Sequence, residues 1–385
     1  SPMMSTTVLL ALGGCTGEPV VIGGSDHPAT SDSSVLGETG TEEVPGSDTG
    51  EPREVTLAFL PDGGAFVGSV EAALRVEGGD ADVEFCTAEP DETGCSFAAY
   101  TGPVSLDAST ILHARLAGSA EVEARSFVEI DSGLRTFASN IPVLVFWTDG
   151  GGPGDGGGDT ELGLNVLEPP DGGELGLLDT PTDSGRARLK VRGSSSAGFP
   201  KKAYDMELWE ASVNDDRTAP LVGLPDNGDW VLYAPYSFDD ALIRNPLAFT
   251  LSNTIGRYAP RTRMVELFLA ERGQAVDSDD YLGVYVLTEE IERDENRVDI
   301  TPILPEDVAE PEVTGGYIFK IDRTGDGESG FSAGSGGGEF DFQQGFVMVQ
   351  PSEDIIERPQ LSYLRDRLDS LGFAEPVDEV MAGLR

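Results

Sequence analysis

The sequence predicts two folded regions in series: an all-β sandwich, then a mixed α+β domain. Three observations predict this. Short β-rich runs recur at even spacing from Val55 to Trp147, strand-like and helix-like runs mingle from Leu162 onward, and stretches rich in glycine or acid set these regions apart. With 385 residues the chain is long enough for two or three domains, each with its own core.

The formal net charge is -44, yet the hydrophobic fraction of 39% and aromatic fraction of 8% are ordinary for a folded protein. The acidity therefore belongs to a solvated surface rather than to wholesale disorder. Such a surface repels nucleic acid phosphates and anionic lipid, which excludes a nucleic-acid partner and a polybasic membrane role.

At the N-terminus, residues 1–15 end in "VLLALGGC", a short apolar run closed by two small residues and Cys15. This resembles the lipobox of bacterial lipoproteins, which implies lipidation at Cys15 and contact with a membrane only through that anchor. No basic region precedes the apolar run, so a true start before Ser1 and a chance match are both open. Residues 16–54 are mostly Ser, Thr, Gly, Pro and acid, too poor in apolar area to offset chain entropy, and read as a disordered acidic stalk.

Residues 55–147 carry the runs "EVTLAFL", "VEAALRV", "DVEFC", "ILHARLA" and "EVEARSFVEI" between Gly, Pro and Asp turns, the pattern of a small antiparallel sandwich. Cys86 and Cys95 flank a turn-rich loop, and a disulfide between them fits an oxidising, extracytoplasmic setting. His113 reads as a core or surface residue rather than a ligand. The patterns "LPDGGAFVGSVEAALRV" and "YTGPVSLDASTILHARL" are similar to the immunoglobulin-like module at the C-terminal end of chitobiase and hexosaminidase enzymes, which implies a spacer. Residues 148–160 follow as a glycine-rich linker.

In residues 161–385, strands are expected at Ala187 to Arg192, Ala203 to Glu210, Met264 to Leu269, Tyr281 to Thr288 and Tyr317 to Ile321. A helix is expected from Asp239 to Ile255, with Ile243, Leu247, Leu251 and Ile255 on one face, Asp239 or Asp240 as cap and Gly256 as stop. Another is expected within "ERPQLSYLRDRLDSLGF".

Three of the chain's four lysines lie in "RARLKVRGSSSAGFPKKAY", from Arg186 to Tyr204, which has six basic residues and no acid. In "RARLKVR" apolar and basic residues alternate, so a strand would bury one face and set a row of cations on the other. A Gly/Ser tip between basic arms suits phosphate: amides wrap the oxygens and cations neutralise them. The motif is neither GxGxxG nor a Walker loop, and a solvated basic face is the plain alternative.

Five ordered blocks, "VRGSSSAGFPKKAYDMEL", "LPDNGDWVLYAPYSFDDALIRNPLAFTL", "PRTRMVELFL", "LGVYVLTEEIERDENRVDI" and "GGYIFKIDR", resemble the N-terminal part of the spore coat protein H (CotH) kinase family of atypical, kinase-like secreted proteins. The resemblance implies an atypical protein-kinase-like domain, incomplete at its C-terminus, that uses ATP with Mg or Mn. It places Arg192, Gly193, Ser194, Ser195 and Ser196 in the nucleotide-proximal loop and Lys201 or Lys202 near the phosphates. It puts Asp229, Trp230, Arg244 and Asn245 in the block leading into the first helix, Thr288 and Glu289 at the join between lobes, and Lys320 with Asp322 on the strand that follows. Glu290 departs from the family pattern, which commonly has lysine there.

Phosphoryl transfer also needs a base or orienting carboxylate and further carboxylates for metal. The family's Asn-x-Asp and Trp-Asp-x-Asp motifs do not occur between "GGYIFKIDR" and Arg385. Asp322 and Asp326 lack a full ligand set around them, so the catalytic residues are expected beyond Arg385, in a longer protein of which this is a fragment; a natural short form is the other explanation. The expected function is transfer of the ATP γ-phosphate to Ser or Thr of an envelope or surface protein. The alternative is a non-catalytic surface lipoprotein or pseudokinase platform whose sandwich binds glycan or another envelope component, with Phe66, Phe85, Phe97 and Tyr100 more simply core or turn residues. A Ser-His-Asp hydrolase has little support, since His27 and His113 both lie outside the mixed domain.

Overall fold

The computed structural model describes residues 55–370, except 93, 155–157, 194–195, 237–238, 240, 272, 322–329, 332–345 and 353–354. Cys15, the 16–54 stretch, Ser194, Ser195, Asp240, Asp322 and Asp326 lie outside the described residues. The described residues are mostly strand, with two α-helices among them, and they divide after Glu289 into two compact units. Among them no helix is long and apolar enough to cross a membrane.

The first unit begins with eight strands: β1 (Thr56–Leu60), β2 (Gly64–Phe66), β3 (Val70–Glu77), β4 (Val83–Ala88), β5 (Ala98–Ala99), β6 (Val104–Leu106), β7 (Thr110–Leu116) and β8 (Glu123–Glu129). They form a three-stranded sheet, β1-β3-β6, and a five-stranded sheet, β2-β8-β7-β4-β5. Alternating residues of both sheets fill the space between them: Phe59 and Leu74 from the first meet Leu112, Ala114 and Phe127 from the second. Phe66 belongs to this core, Phe85 and Tyr100 pack edge to face with centroids 6.0 Å apart, and Phe97 lies beneath the Arg115 guanidinium. Cys86 and Cys95 are joined in a disulfide.

A closed barrel follows, from β9 (Val143–Trp147), β10 (Thr160–Leu167), β11 (Asp183–Arg192), β12 (Ala203–Trp209), β15 (Asp229–Tyr233), β16 (Thr262–Ala270) and β17 (Tyr281–Glu289); a small hairpin, β13 (Ala219–Leu221) and β14 (Leu224–Asn227), precedes β15. Its order is β10-β11-β12-β15-β17-β16-β9, antiparallel throughout except where β9 and β16 run parallel and close the ring. Leu164, Leu189, Met206, Trp230, Leu232, Leu267 and Tyr285 pack its interior. Each such apolar side chain contributes roughly 1.5–3 kcal/mol on burial.

The run "VLVFW" in β9 is buried at every position, because both of its faces are covered. Leu144 and Phe146 point into the barrel, while Val143, Val145 and Trp147 join Ile111, Val128, Ile130 and Phe268 in a second core. That second core lies between the barrel and the outer face of the five-stranded sheet, so sandwich and barrel form one body. Val143–Trp147, grouped by sequence with residues 55–147, is thus a barrel strand, and 148–159 connects two neighbouring barrel strands. Gly163 faces Trp147 across β9 and β10; a Cβ there would lie 2.2 Å from the indole nitrogen, so only glycine leaves room for this ring.

Helix α1 (Arg244–Thr254) starts later than the sequence predicts and carries no buried residue. Pro246 fits within its first turn, where the missing N–H costs nothing. The buried Asp239 carboxylate accepts from the Arg244 backbone N–H at 2.9 Å, and Gly256, at φ 75°, ends the helix as expected. The expected apolar face is exposed: Ile243, Leu247, Leu251 and Ile255 retain 46%, 52%, 57% and 76% of their accessible surface.

In the second unit, β18 (Ile318–Ile321), β19 (Gly330–Phe331) and β20 (Phe346–Gln350) form a sheet of order β18-β20-β19. Helix α2 (Arg358–Ser370), within the span the sequence predicts, packs Leu364 and Leu368 against Phe319, Phe331 and Phe346. Gln360 is buried there and donates to the carbonyls of Leu304 and Asp307 at 2.8 and 3.2 Å.

Candidate functional site

The basic stretch forms the β11–β12 hairpin. Ala187, Leu189 and Val191 enter the barrel core as the alternation requires. The opposite row does not project a free line of cations. Register sets Arg188 opposite Glu207 and Lys190 opposite Asp205, and acids of neighbouring segments take up the charge. Arg188 bonds Glu207 and, at 2.9 Å, Asp159; Lys190 lies 3.9 Å from Asp159; Arg192 bonds Asp205. The more exposed of these pairs, Lys190 with Asp159 and Arg192 with Asp205, are worth about 0–1 kcal/mol each. Positive charge is kept here because the strands on either side are acidic.

Arg186 behaves differently, being buried to 1% exposure with its guanidinium matched to four acceptors. It donates to the carbonyls of Pro90, Glu210 and Val213 at 3.1, 3.2 and 3.1 Å and to Asn214 Oδ1 at 2.6 Å. This is a structural anchor.

At the tip, Gly193 takes φ 103°, a conformation that favours glycine, and the place of its missing Cβ lies 2.1 Å from Ser196 Oγ. The hydroxyl thus approaches the backbone closely. Residues Ser196–Gly198 make a short 3-10 turn closed by the Phe199 N–H on the Ser196 carbonyl at 3.0 Å.

Lys201 folds back on the barrel. Its Nζ donates to the Val284 carbonyl and sits 4.6 Å from the centre of the Tyr285 ring, and partial burial lowers its pKa. Tyr285 stacks on Tyr204 with centroids 6.2 Å apart. Burial is the main cause that pushes Tyr204 up to about 12 and Tyr285 further still. Lys202 is half-buried beside it.

Glu289, the last residue of β17, is buried at 2% exposure and clamped by Arg261, which donates its backbone N–H and Nε at 2.8 Å each. Thr288 is buried too and bonds back to the Val286 carbonyl at 3.3 Å. Arg261 was not singled out by sequence; its signal is the basic "PRTR" opening β16, whose role needs the β16–β17 register to be seen. Trp230 is a core residue with Nε1 on the Asn227 carbonyl at 3.2 Å, and Arg244 lies 3.6 Å from Asp239. Lys320, opposite Val347 in the β18–β20 pair, belongs to the second unit. Gly193 and Ser196 are therefore brought together at the tip, whereas Arg192, Lys201 and Glu289 each engage a different part of the barrel wall.

The hairpin tip thus sets Gly193 and the Ser196 hydroxyl on the rim of a filled barrel, with Arg192 held by Asp205 and Lys201 by the Val284 carbonyl. Residues 189–361 match the family described as CotH kinase protein, a span running from the middle of β11 into α2 and containing every described residue of that loop. The match supports a CotH-like, kinase-related function for this part of the chain. No curated protein matches the chain.

Proposed function

We propose that the chain carries the nucleotide-binding part of an exported, CotH-like atypical protein kinase of α+β architecture. The intact protein would move the γ-phosphate of ATP to Ser or Thr of an envelope or surface protein. One observation carries the reading: the family match spans Gly193 and Ser196, all three lysines of the hairpin and the end of β17.

The loop fits phosphate in one respect: Gly193, at φ 103°, lets the Ser196 hydroxyl lie against the main chain, which sets a hydroxyl donor at the hairpin tip. Gly193, the serines after it and Lys201 or Lys202 would hold the phosphates, with Arg192 adding charge. Glu289 joins the set by resemblance. Mg or Mn, when bound, would neutralise phosphate charge. No group of three or more acids, histidines or cysteines suited to a metal occurs among the described residues, so no protein ligand for the metal is assigned. In this reading the sandwich is a spacer, Cys15 the lipid anchor, and the setting extracytoplasmic, in keeping with the Cys86–Cys95 disulfide.

A non-catalytic platform is favoured by a different observation: Arg192, Lys201 and Glu289 are already engaged by Asp205, Val284 and Arg261. Nucleotide binding by the full chain, with and without Mn²⁺, separates the two. Wild type is expected to bind ATP and Lys201→Ala/Lys202→Ala to lose it. A folded wild-type chain that binds no nucleotide would sink the kinase reading and leave the platform.

A further inference from the structure

Sandwich and barrel meet around a cavity of about 380 Å³ whose walls come from both. From the sandwich side, Arg125 of β8 bonds Asp62 and approaches Glu123 at 3.5 Å. From the barrel side, Arg217 grips Asp183 with two bonds of 3.0 and 2.8 Å. Pro181 and Ala211 add apolar surface between these polar walls.

We propose that this seam cavity binds the end of a neutral saccharide. Its lining carries three guanidiniums, Arg125, Arg186 and Arg217, against five carboxylates, Asp62, Glu121, Glu123, Asp183 and Glu210, and Arg125 and Arg217 hold Asp62, Glu123 and Asp183 in planar pairs. A sugar hydroxyl donates and accepts at once, so adjacent hydroxyls can give to a carboxylate oxygen and take from a guanidinium N–H without breaking either pair. An anion would meet the excess of carboxylates, and a cation would have to compete with Arg125 and Arg217 for the paired ones. A bare metal ion is disfavoured further, because no three acids converge on one point among the described residues. The volume lies in the range of about 300–1,000 Å³ typical of small-molecule sites, enough for a sugar ring and part of its neighbour.

The walls are also fixed before any ligand arrives. Ser184 Oγ accepts from the Ser126 N–H at 2.9 Å and donates to the Ser126 carbonyl at 3.2 Å, while Ser126 Oγ accepts from the Trp147 indole at 2.8 Å and the Asn165 amide at 3.3 Å. This buried stitching joins β8 to β11, the strands that supply Glu123, Arg125 and Asp183, so little ordering cost falls on binding. The inference is independent of the nucleotide reading, since it involves none of that loop.

The test is saturation-transfer NMR on the full chain with cellobiose and N,N′-diacetylchitobiose, with spermine as a cationic probe of the same cavity. At least one disaccharide is expected to bind, and to bind about tenfold more weakly or worse to Arg217→Gln and to Asp62→Asn, the latter an exposed rim position that spares the fold. Failure of folded wild type to bind either disaccharide overturns the proposal. So does binding unchanged in both folded variants, and so does spermine binding without saccharide binding, which would make the cavity a cation site.

Discussion

Arg186, on the third strand of the barrel, donates its Nε–H to the carbonyl of Pro90 at 3.1 Å, in a sandwich loop 96 residues earlier. That loop is the one closed by Cys86 and Cys95. A buried guanidinium and a covalently closed loop thus pin two sheets to each other at one point.

Removing that guanidinium leaves buried acceptors without donors. Arg186→Met is expected to lower stability by about 3–5 kcal/mol, and Arg186→Lys to recover only part, because an ammonium cannot reproduce the planar fork. Urea unfolding of the full chain measures both; a loss within error of zero for Arg186→Met would show that the anchor is dispensable.

His113 gives a pH dependence of definite sign. It is 2% exposed, its Nε2 has no hydrogen-bond partner, and burial, with the Arg186 charge as a lesser cause, lowers its pKa from 6.5 to about 4. The unfolded chain takes up its proton near 6.5 and the folded one only near 4, so stability is full above 6.5 and falls as the pH drops between these values. The total loss from this group is about 3 kcal/mol. The unfolding midpoint followed from pH 7 to 4 should fall less steeply in His113→Gln than in wild type.

A second titration runs the other way. Asp216 is raised to about 7, chiefly through its hydrogen bond with Glu207, whose own carboxyl is lowered. The shared proton is held below about 7 in the folded state, and its contribution to stability is lost as the pH rises through that value. Trp209 Nε1 donates to Glu207 Oε2 at 2.8 Å, so indole fluorescence should report a transition near 7 in wild type and none in Asp216→Asn.

At the hairpin tip, Gly193→Ala meets both an unfavourable φ and the Ser196 hydroxyl. The cost expected is about 1–3 kcal/mol of local strain. Nucleotide affinity should drop, if the loop cradles phosphate, while unfolding of the barrel shifts little; equal affinity in both proteins would remove Gly193 from the site.

Glu289→Gln tests the clamp at the end of β17. Weakening a buried, charge-assisted pair with Arg261 should cost about 1.5–3 kcal/mol, and Glu289→Ala more, because the bonds from the Arg261 N–H and Nε to the carboxylate are then lost. Thermal unfolding ranks the three proteins, and an order other than wild type, Gln, Ala would contradict the assignment.

What the sequence made legible was local. The period-2 runs became β11, β12, β16 and β17, the turn-rich loop joined Cys86 to Cys95, and Gly256 stopped a helix. What it hid depends on partners far along the chain. The cations of "RARLKVR" look like a phosphate-facing row until register sets Glu207 and Asp205 opposite them. Ile243, Leu247, Leu251 and Ile255 have the spacing of a buried stripe, and spacing alone does not say whether anything packs on it. The clamp on Glu289 is equally silent, because Arg261 sits 28 positions away and meets it only through β16–β17 pairing.

The parallel closure of β9 on β16 has a practical meaning for anyone cutting this gene. The glycine-rich stretch before β10 invites an expression boundary, yet a polypeptide begun at Leu162 would leave out a stave of the barrel and bare the flanks of both its neighbours. A protease nicking the same stretch should do far less harm. The two pieces would stay clasped through the shared core, and, separately produced, they are natural candidates for fragment complementation.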